Sequence, residues 1–226
     1  MLANTKKYLV AGVGIAIVIA IAASFTSYLG QFEQLQQQDS GTTIYHDEVA
    51  VGKGSPLLGM ETARVTIIEM GDYQCEMCKR WYDNTRPKII ENFVNTGKAS
   101  LVFLDLPILG PDSKLAAEAT YCAEDQGRFW DYHGMLYDFQ GHMNSGWANI
   151  DRLNSFAFNL DLDMEKFNEC MSSDKYEMRV KYNAQKAKSV GNSTPTFLLI
   201  NTSGDQERIV GAQPYPVFER VIESLL

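Results

Sequence analysis

The pair Cys75-Glu76-Met77-Cys78 constrains this chain more than any other feature, because of what flanks it. Before it runs Val65-Thr66-Ile67-Ile68-Glu69-Met70, short and β-branched in the manner of a buried strand. Gly71-Asp72-Tyr73-Gln74 reads as a loop. Cys75 then opens a helical stretch to about Asn95, with Trp81, Ile89, Ile90 and Phe93 available for a buried face. Pro87 inside that stretch predicts a kink or break. Ser100-Leu101-Val102-Phe103-Leu104 is a second strand. Strand, helix and strand at this spacing make a βαβ unit, so the two strands should lie parallel with a right-handed crossover.

Residues from about Asp112 to Val190 read as helical, with breaks near Gln126-Gly127, Gly141 to Gly146 and Asp161 to Asp163. After them come Thr194-Pro195-Thr196, a strand at Phe197-Leu198-Leu199-Ile200, a turn at Ser203-Gly204-Asp205 and a strand at Arg208-Ile209-Val210. Val217, Phe218, Val221, Ile222 and Leu225 fall at helical spacing, which predicts an amphipathic helix over Tyr215 to Leu226. The layout is βαβ, a helical insertion over about 112–190, then ββα. It implies an α/β chain with a thioredoxin-like core and an inserted helical subdomain.

The two thiols sit one helical turn apart at a helix start. Thiol–disulfide exchange needs a thiolate that attacks or leaves and a second thiol near enough to close a ring. Free N–H groups and the positive dipole end at a helix amino terminus lower the pKa of the first cysteine. Cys75 is therefore the expected exchanging thiol and Cys78 the resolving one. A zinc site would want a second close pair or histidines. Cys122 and Cys170 are isolated from each other, and His46, His133 and His142 lack ligand spacing, so no metal is expected.

The amino end decides the compartment. No charge occurs from Tyr8 to Phe32, and Leu9 to Ala23 is almost purely aliphatic. A helix needs about 20 mostly apolar residues to cross a bilayer. Lys6 and Lys7 mark the amino end as cytoplasmic, with Tyr8 and Tyr28 near the interfaces. A signal peptide cleaved at Ala20-Ile21-Ala22 is the other reading, although the uncharged stretch outlasts a signal core of about 7–15 residues. Both readings export the remainder. The expected order is a single-pass anchor at 1–30, a Gln-rich and then Gly-containing linker at 31–57, and one extracytoplasmic domain at 58–226. Net charge is −8, and Lys6 and Lys7 precede the first acid, so the exported part is more acidic still. That sign opposes a phosphate-binding surface and disfavours nucleic acid as a partner.

Val65 to Tyr82, VTIIEMGDYQCEMCKRWY, resembles the active-site segment of DsbA-like proteins, particularly the membrane-tethered disulfide oxidoreductases of Gram-positive bacteria and archaea. Gly127-Arg128-Phe129-Trp130-Asp131-Tyr132-His133 resembles a helix start of their inserted subdomain. Thr194-Pro195-Thr196-Phe197 resembles their cis-proline loop, and Val210-Gly211-Ala212-Gln213-Pro214 their closing strand and turn. The resemblance implies a buried acid at Glu69 that relays protons to Cys78. It also implies a cis bond at Pro195 against the cysteines, and a Thr194 backbone offered to extended substrate. Glu76 and Met77, between the cysteines, depart from the family's usual Pro and polar or basic residues and would meet substrate. Ser193 stands where a Gly commonly precedes the Thr-Pro pair.

The activity implied is a protein thiol:disulfide oxidoreductase without a cofactor, acting on exported proteins that bear cysteines. Disulfide formation is the expected direction, and reduction or isomerisation runs the same exchange otherwise. The family implies reoxidation by a membrane-embedded, quinone-linked oxidase. A non-enzymatic tethered binding module is the contrasting reading, but a mere staple does not require Thr194-Pro195 beside it. Cys122 and Cys170 lack exchange-ready spacing. A bridge between two helices of the insertion, worth about 4 kcal/mol in the chain-entropy model, stands beside a second redox relay and two free core thiols. His133 reads as scaffold and the nine methionines as core filler.

Overall fold

The structure is a computed structural model that describes residues 53–226. The expected anchor at 1–30 and most of the expected linker lie outside the described residues. Among the described residues, no helix is long and apolar enough to cross a membrane.

β1 (Val65–Gly71) and β2 (Ala99–Asp105) pair in parallel, as the βαβ spacing requires, with Glu69 opposite Phe103. β3 (Thr196–Asn201) pairs antiparallel with β1, and β4 (Gln206–Val210) antiparallel with β3, giving the order β2-β1-β3-β4. Between β1 and β2 lie α1 (Glu76–Asn84), α2 (Arg86–Ile89) and a π-helical stretch, Ile90–Val94. The break between α1 and α2 falls at Thr85, two residues before Pro87. Pro87 has no N–H to donate to the carbonyl of Asp83, and its ring crowds that carbonyl. Thr85 uses its hydroxyl instead on the Gln213 carbonyl, at 3.0 Å.

The insertion contains α3 (Pro111–Glu124), α4 (Phe129–Asp138), α5 (Ile150–Asn159), α6 (Met164–Ser172) and α7 (Glu177–Val190), and α8 (Tyr215–Leu225) closes the chain. A fourth break, at residues 173–176, was not legible in the sequence. Period-2 alternation divides the sheet's side chains between two faces. Val65, Ile67, Leu101, Phe197 and Leu199 pack with Trp81, Ile89, Phe93, Phe218 and Ile222 from α1, α2, the π turn and α8. Ile68, Met70, Leu104, Leu198 and Ile200 pack with Ala187 of α7 on the other face. This is a thioredoxin-like α/β fold with a helical insertion.

Two expectations are corrected. The linker expected to run to residue 57 is already part of the sheet's surroundings by Ser55. The Ser55 N–H donates to the Phe103 carbonyl, and the Ser55 hydroxyl oxygen accepts from the Phe103 N–H, both at 2.8 Å. Leu58 and Leu101 exchange both backbone hydrogen bonds at 2.9 Å. The segment covers the outer edge of β2, whose backbone groups would otherwise be open to pairing. Nor are the methionines all core filler: Met60, Met77, Met143 and Met178 are exposed.

Candidate active site

Cys75 occupies the N-cap of α1 in an extended backbone conformation, with no side-chain cap of its own. Its sulfur therefore faces the first N–H groups of the helix, which have no intrahelical acceptor. The side chain is 8% exposed, whereas Cys78, one turn further on, is 0% exposed. Both are free thiols. A hydrogen bond from Cys78 is the largest influence lowering the Cys75 pKa from 9.0 to about 6, followed by Thr194 and the backbone N–H groups of Cys78 and Met77. Burial opposes these and is outweighed. Cys78 moves the other way, well above the ordinary thiol value, because burial and then the neighbouring Cys75 penalise its thiolate. Two cysteines three residues apart are thus pushed in opposite directions, Cys75 by the hydrogen bonds it receives and Cys78 by its depth and its neighbour.

The Thr194–Pro195 peptide bond is cis. The Cys75 thiol donates to the Thr194 carbonyl at 3.3 Å, which places this loop against the reactive sulfur. The Gly211 N–H donates to the Pro195 carbonyl at 2.8 Å and fixes the loop to the end of β4. Glu76 and Met77 are exposed beside Cys75.

Glu69 lies in β1 between Phe103 and Phe197 of the flanking strands and is 0% exposed. Neither carboxylate oxygen has a hydrogen-bond partner among the described residues. Burial pushes its pKa from 4.5 up to about 8, Arg86 pulls it down, and Cys75 adds a small rise. Glu69 in turn raises the pKa of Cys78, so the two are electrostatic neighbours. The structure therefore brings Glu69, Cys75, Cys78, Thr194 and Pro195 to one place.

Cys122 and Cys170 are joined in a disulfide between α3 and α6, with Cα atoms 5.7 Å apart. Their bridge is part of the helical insertion. His133 is fully buried and its pKa is well below the usual value, first through burial and then through Arg86. Its Nδ1 is hydrogen-bonded to the Tyr73 hydroxyl at 3.0 Å, and Trp130, Phe103 and Tyr137 stand edge-on to its ring.

Several supporting residues were missed from the sequence. Asp72 accepts from the Gln74, Ile108 and Leu109 N–H groups and from the Ser113 hydroxyl, at 2.6–3.0 Å. It ties the loop before Cys75 to the loop after β2, and burial still raises its pKa. The Gln74 side-chain Oε1 accepts from the Asn144 N–H at 2.7 Å, and Gln140 Nε2 donates to the Tyr73 backbone carbonyl at 2.6 Å. The loop between α4 and α5 is thereby fastened beside the cysteines. The two partners lie about 70 positions apart in the chain, and no periodicity or spacing links them.

A protein-family profile described as Thioredoxin matches residues 52–223. Disulfide bond formation protein D of Bacillus subtilis is 36% identical over 107 residues, which cover 46% of this chain and 48% of that protein. Probable disulfide bond formation protein D of Bacillus anthracis is 28% identical over 138 residues, 59% of this chain and 63% of that protein. The matches thus span about half of the first relative and under two thirds of the second. The crystal structure of oxidised BdbD from Bacillus subtilis superposes with a TM-score of 0.70 at 26% identity, over 78% of this chain and 94% of that one. The family profile covers residues 52–223 and the fold matches that of the Bacillus structure, so the chain belongs to the thioredoxin family, among its DsbA-like members.

Proposed function

We propose that this protein is an extracytoplasmic thiol–disulfide oxidoreductase, tethered by residues 1–30, that forms disulfides in exported proteins. The observation that carries the reading is the opposed ionisation of Cys75 and Cys78. A Cys75 thiol with a pKa of about 6 is mostly thiolate at neutral pH. That stabilises the reduced form, and a stabilised reduced form makes the disulfide a ready electron acceptor.

A substrate thiolate attacks the Cys75 sulfur of the Cys75–Cys78 disulfide. The Cys75–Cys78 bond breaks, a substrate–Cys75 bond forms, and Cys78 leaves with the electron pair. Its high proton affinity lets it take a proton at once, and protonated Glu69 is the adjacent donor. A second substrate thiolate then attacks the substrate sulfur of the mixed disulfide. The substrate departs oxidised, and Cys75 departs as the stable thiolate. The chemistry needs no cofactor, but the reduced pair must be reoxidised by a membrane-embedded, quinone-linked partner. Thr194 offers its carbonyl beside Cys75, and exposed Met77 offers apolar surface to an unfolded chain.

The uncharged stretch after Lys6 and Lys7 supports the tether, and the Cys122–Cys170 bridge supports an oxidising compartment. The names of the Bacillus relatives agree with the direction of the exchange. Oxidised protein should restore activity to a reduced, unfolded, disulfide-dependent test enzyme, and Cys75→Ala should abolish the effect. Equal reactivation by the Cys75→Ala variant would refute the assignment.

A further inference from the structure

α7 carries the largest positive charge of the described helices, with Arg179, Lys181, Lys186 and Lys188 against one acid, Glu177. It does so in a chain whose net charge is −8. Acids around its first turn are already matched: Glu177 pairs with Lys114 at 2.8 Å, Asp125 with Lys175 at 2.7 Å and Glu124 with Arg179 at 3.0 Å. Lys53, Lys181, Lys186 and Lys188 form no ion pair among the described residues. Val180, Asn183 and Ala187 turn inward, so Met178, Lys181, Tyr182 and Gln185, at helical spacing, share the outward stripe. Met178 is 68% exposed, one turn before Tyr182. The Tyr182 ring centroid lies 4.6 Å from the Lys53 Nζ and 5.8 Å from the Lys186 Nζ. An apolar side chain and an aromatic ring framed by long cationic side chains make up a helix face suited to a lipid interface.

The chain also enters the described domain at this helix. The Lys53 carbonyl accepts from Arg179 Nε at 2.9 Å and from Asn183 Nδ2 at 2.7 Å, and the Gly54 carbonyl accepts from Arg179 Nη2 at 2.5 Å. Asn183 is fully buried and is bonded in turn to Asp105 and Tyr121. The attachment is therefore built into the core. Residues 31–52 are all that separate the expected anchor at 1–30 from this point.

We propose that the outward face of α7, together with Lys53, docks on anionic headgroups of the membrane that anchors the chain, and so sets the orientation of the catalytic domain. This rests on the tethered reading above and extends it: the anchor supplies proximity and α7 supplies direction. Each basic residue near an anionic leaflet strengthens association roughly fivefold. The remaining surface is acidic on balance and is repelled by the same headgroups, which leaves one face to settle on. α1 and α7 cover opposite faces of the sheet. A domain resting on α7 therefore turns α1 away from the lipid and keeps Cys75 open to exported chains.

The test places the full chain in lipid nanodiscs, acetylates its lysines briefly and reads each site by peptide mass spectrometry. In discs containing phosphatidylglycerol, Lys53, Lys181, Lys186 and Lys188 should be labelled about fivefold less than in pure phosphatidylcholine discs. Lys79 and Lys88, on the α1 side, should not change. Salt at about 1 M, where the Debye length is about 3 Å, should erase the difference. Lys181→Glu with Lys188→Glu should restore labelling at Lys53 and Lys186 and leave oxidation of a soluble reduced peptide unaltered. Equal labelling of the four lysines in both lipids would overturn the proposal. So would protection that survives the charge reversal, which would assign the face to a protein contact such as a second copy. A chain that enters neither kind of disc would refute the tether itself, and the docking with it.

Discussion

Replacing Glu69 by Gln keeps the shape of the side chain and removes its charge. In the folded protein Glu69 binds its proton up to a pH of about 8, whereas the unfolded chain releases it near 4.5. Between those values the folded state holds the extra proton, so stability falls as pH rises, by about 1.4 kcal/mol per pH unit. Below pH 4.5 both states are protonated and the group contributes nothing. The accumulated cost reaches about 3 kcal/mol at pH 7 and levels off near 5 kcal/mol above pH 8, both order-of-magnitude figures. Glu69→Gln should abolish this slope. Denaturant unfolding of the oxidised protein, measured from pH 4 to pH 9, is the assay. The two proteins should be equally stable at pH 4, with the Gln variant more stable by about 3 kcal/mol at pH 7. Curves that stay parallel across the range would show that the acid is ionised in the fold and would remove it as a proton donor to Cys78.

Cys78→Ala should trap substrates on Cys75 as mixed disulfides, visible on non-reducing gels and removed by dithiothreitol. Adducts that form only when Cys75 is absent would reverse the two roles. The same substitution should raise the Cys75 pKa from about 6, because the Cys78 hydrogen bond is the largest influence lowering it. Thiolate absorbance against pH reads this directly. Replacing both Cys122 and Cys170 with Ala removes a cross-link spanning 48 positions, worth about 4 kcal/mol in the chain-entropy model. Thermal unfolding should fall accordingly while turnover on a reduced test protein persists. Lost turnover in a folded variant would make the bridge a redox relay.

The parts of this protein that local physics controls were readable before the structure. A β-branched run before Cys75, two thiols one turn apart and Pro87 within the following helix each act within a few residues. The strands, the N-capping cysteine and the break at Thr85 are found accordingly. Glu69 was legible only by resemblance, because an acid in a strand looks the same whether its face is solvated or covered by Phe103, Phe197 and α1. Asp72, Gln74, Gln140 and Asn144 were not legible, since their bonds join loops distant in sequence. The segment from Gly54 to Leu57 looked like linker because Gly54 and Pro56 carry no strand pattern, and the edge of β2 supplies what its own sequence lacks.

The reduction potential of the Cys75–Cys78 pair, obtained by equilibrating the protein with glutathione buffers, tests the central claim most directly. A pair whose reduced form is stabilised by a Cys75 thiolate should lie at about −200 mV or higher, in the range of disulfide donors. A potential below about −300 mV, where structural disulfides lie, would contradict the account and make the pair a staple.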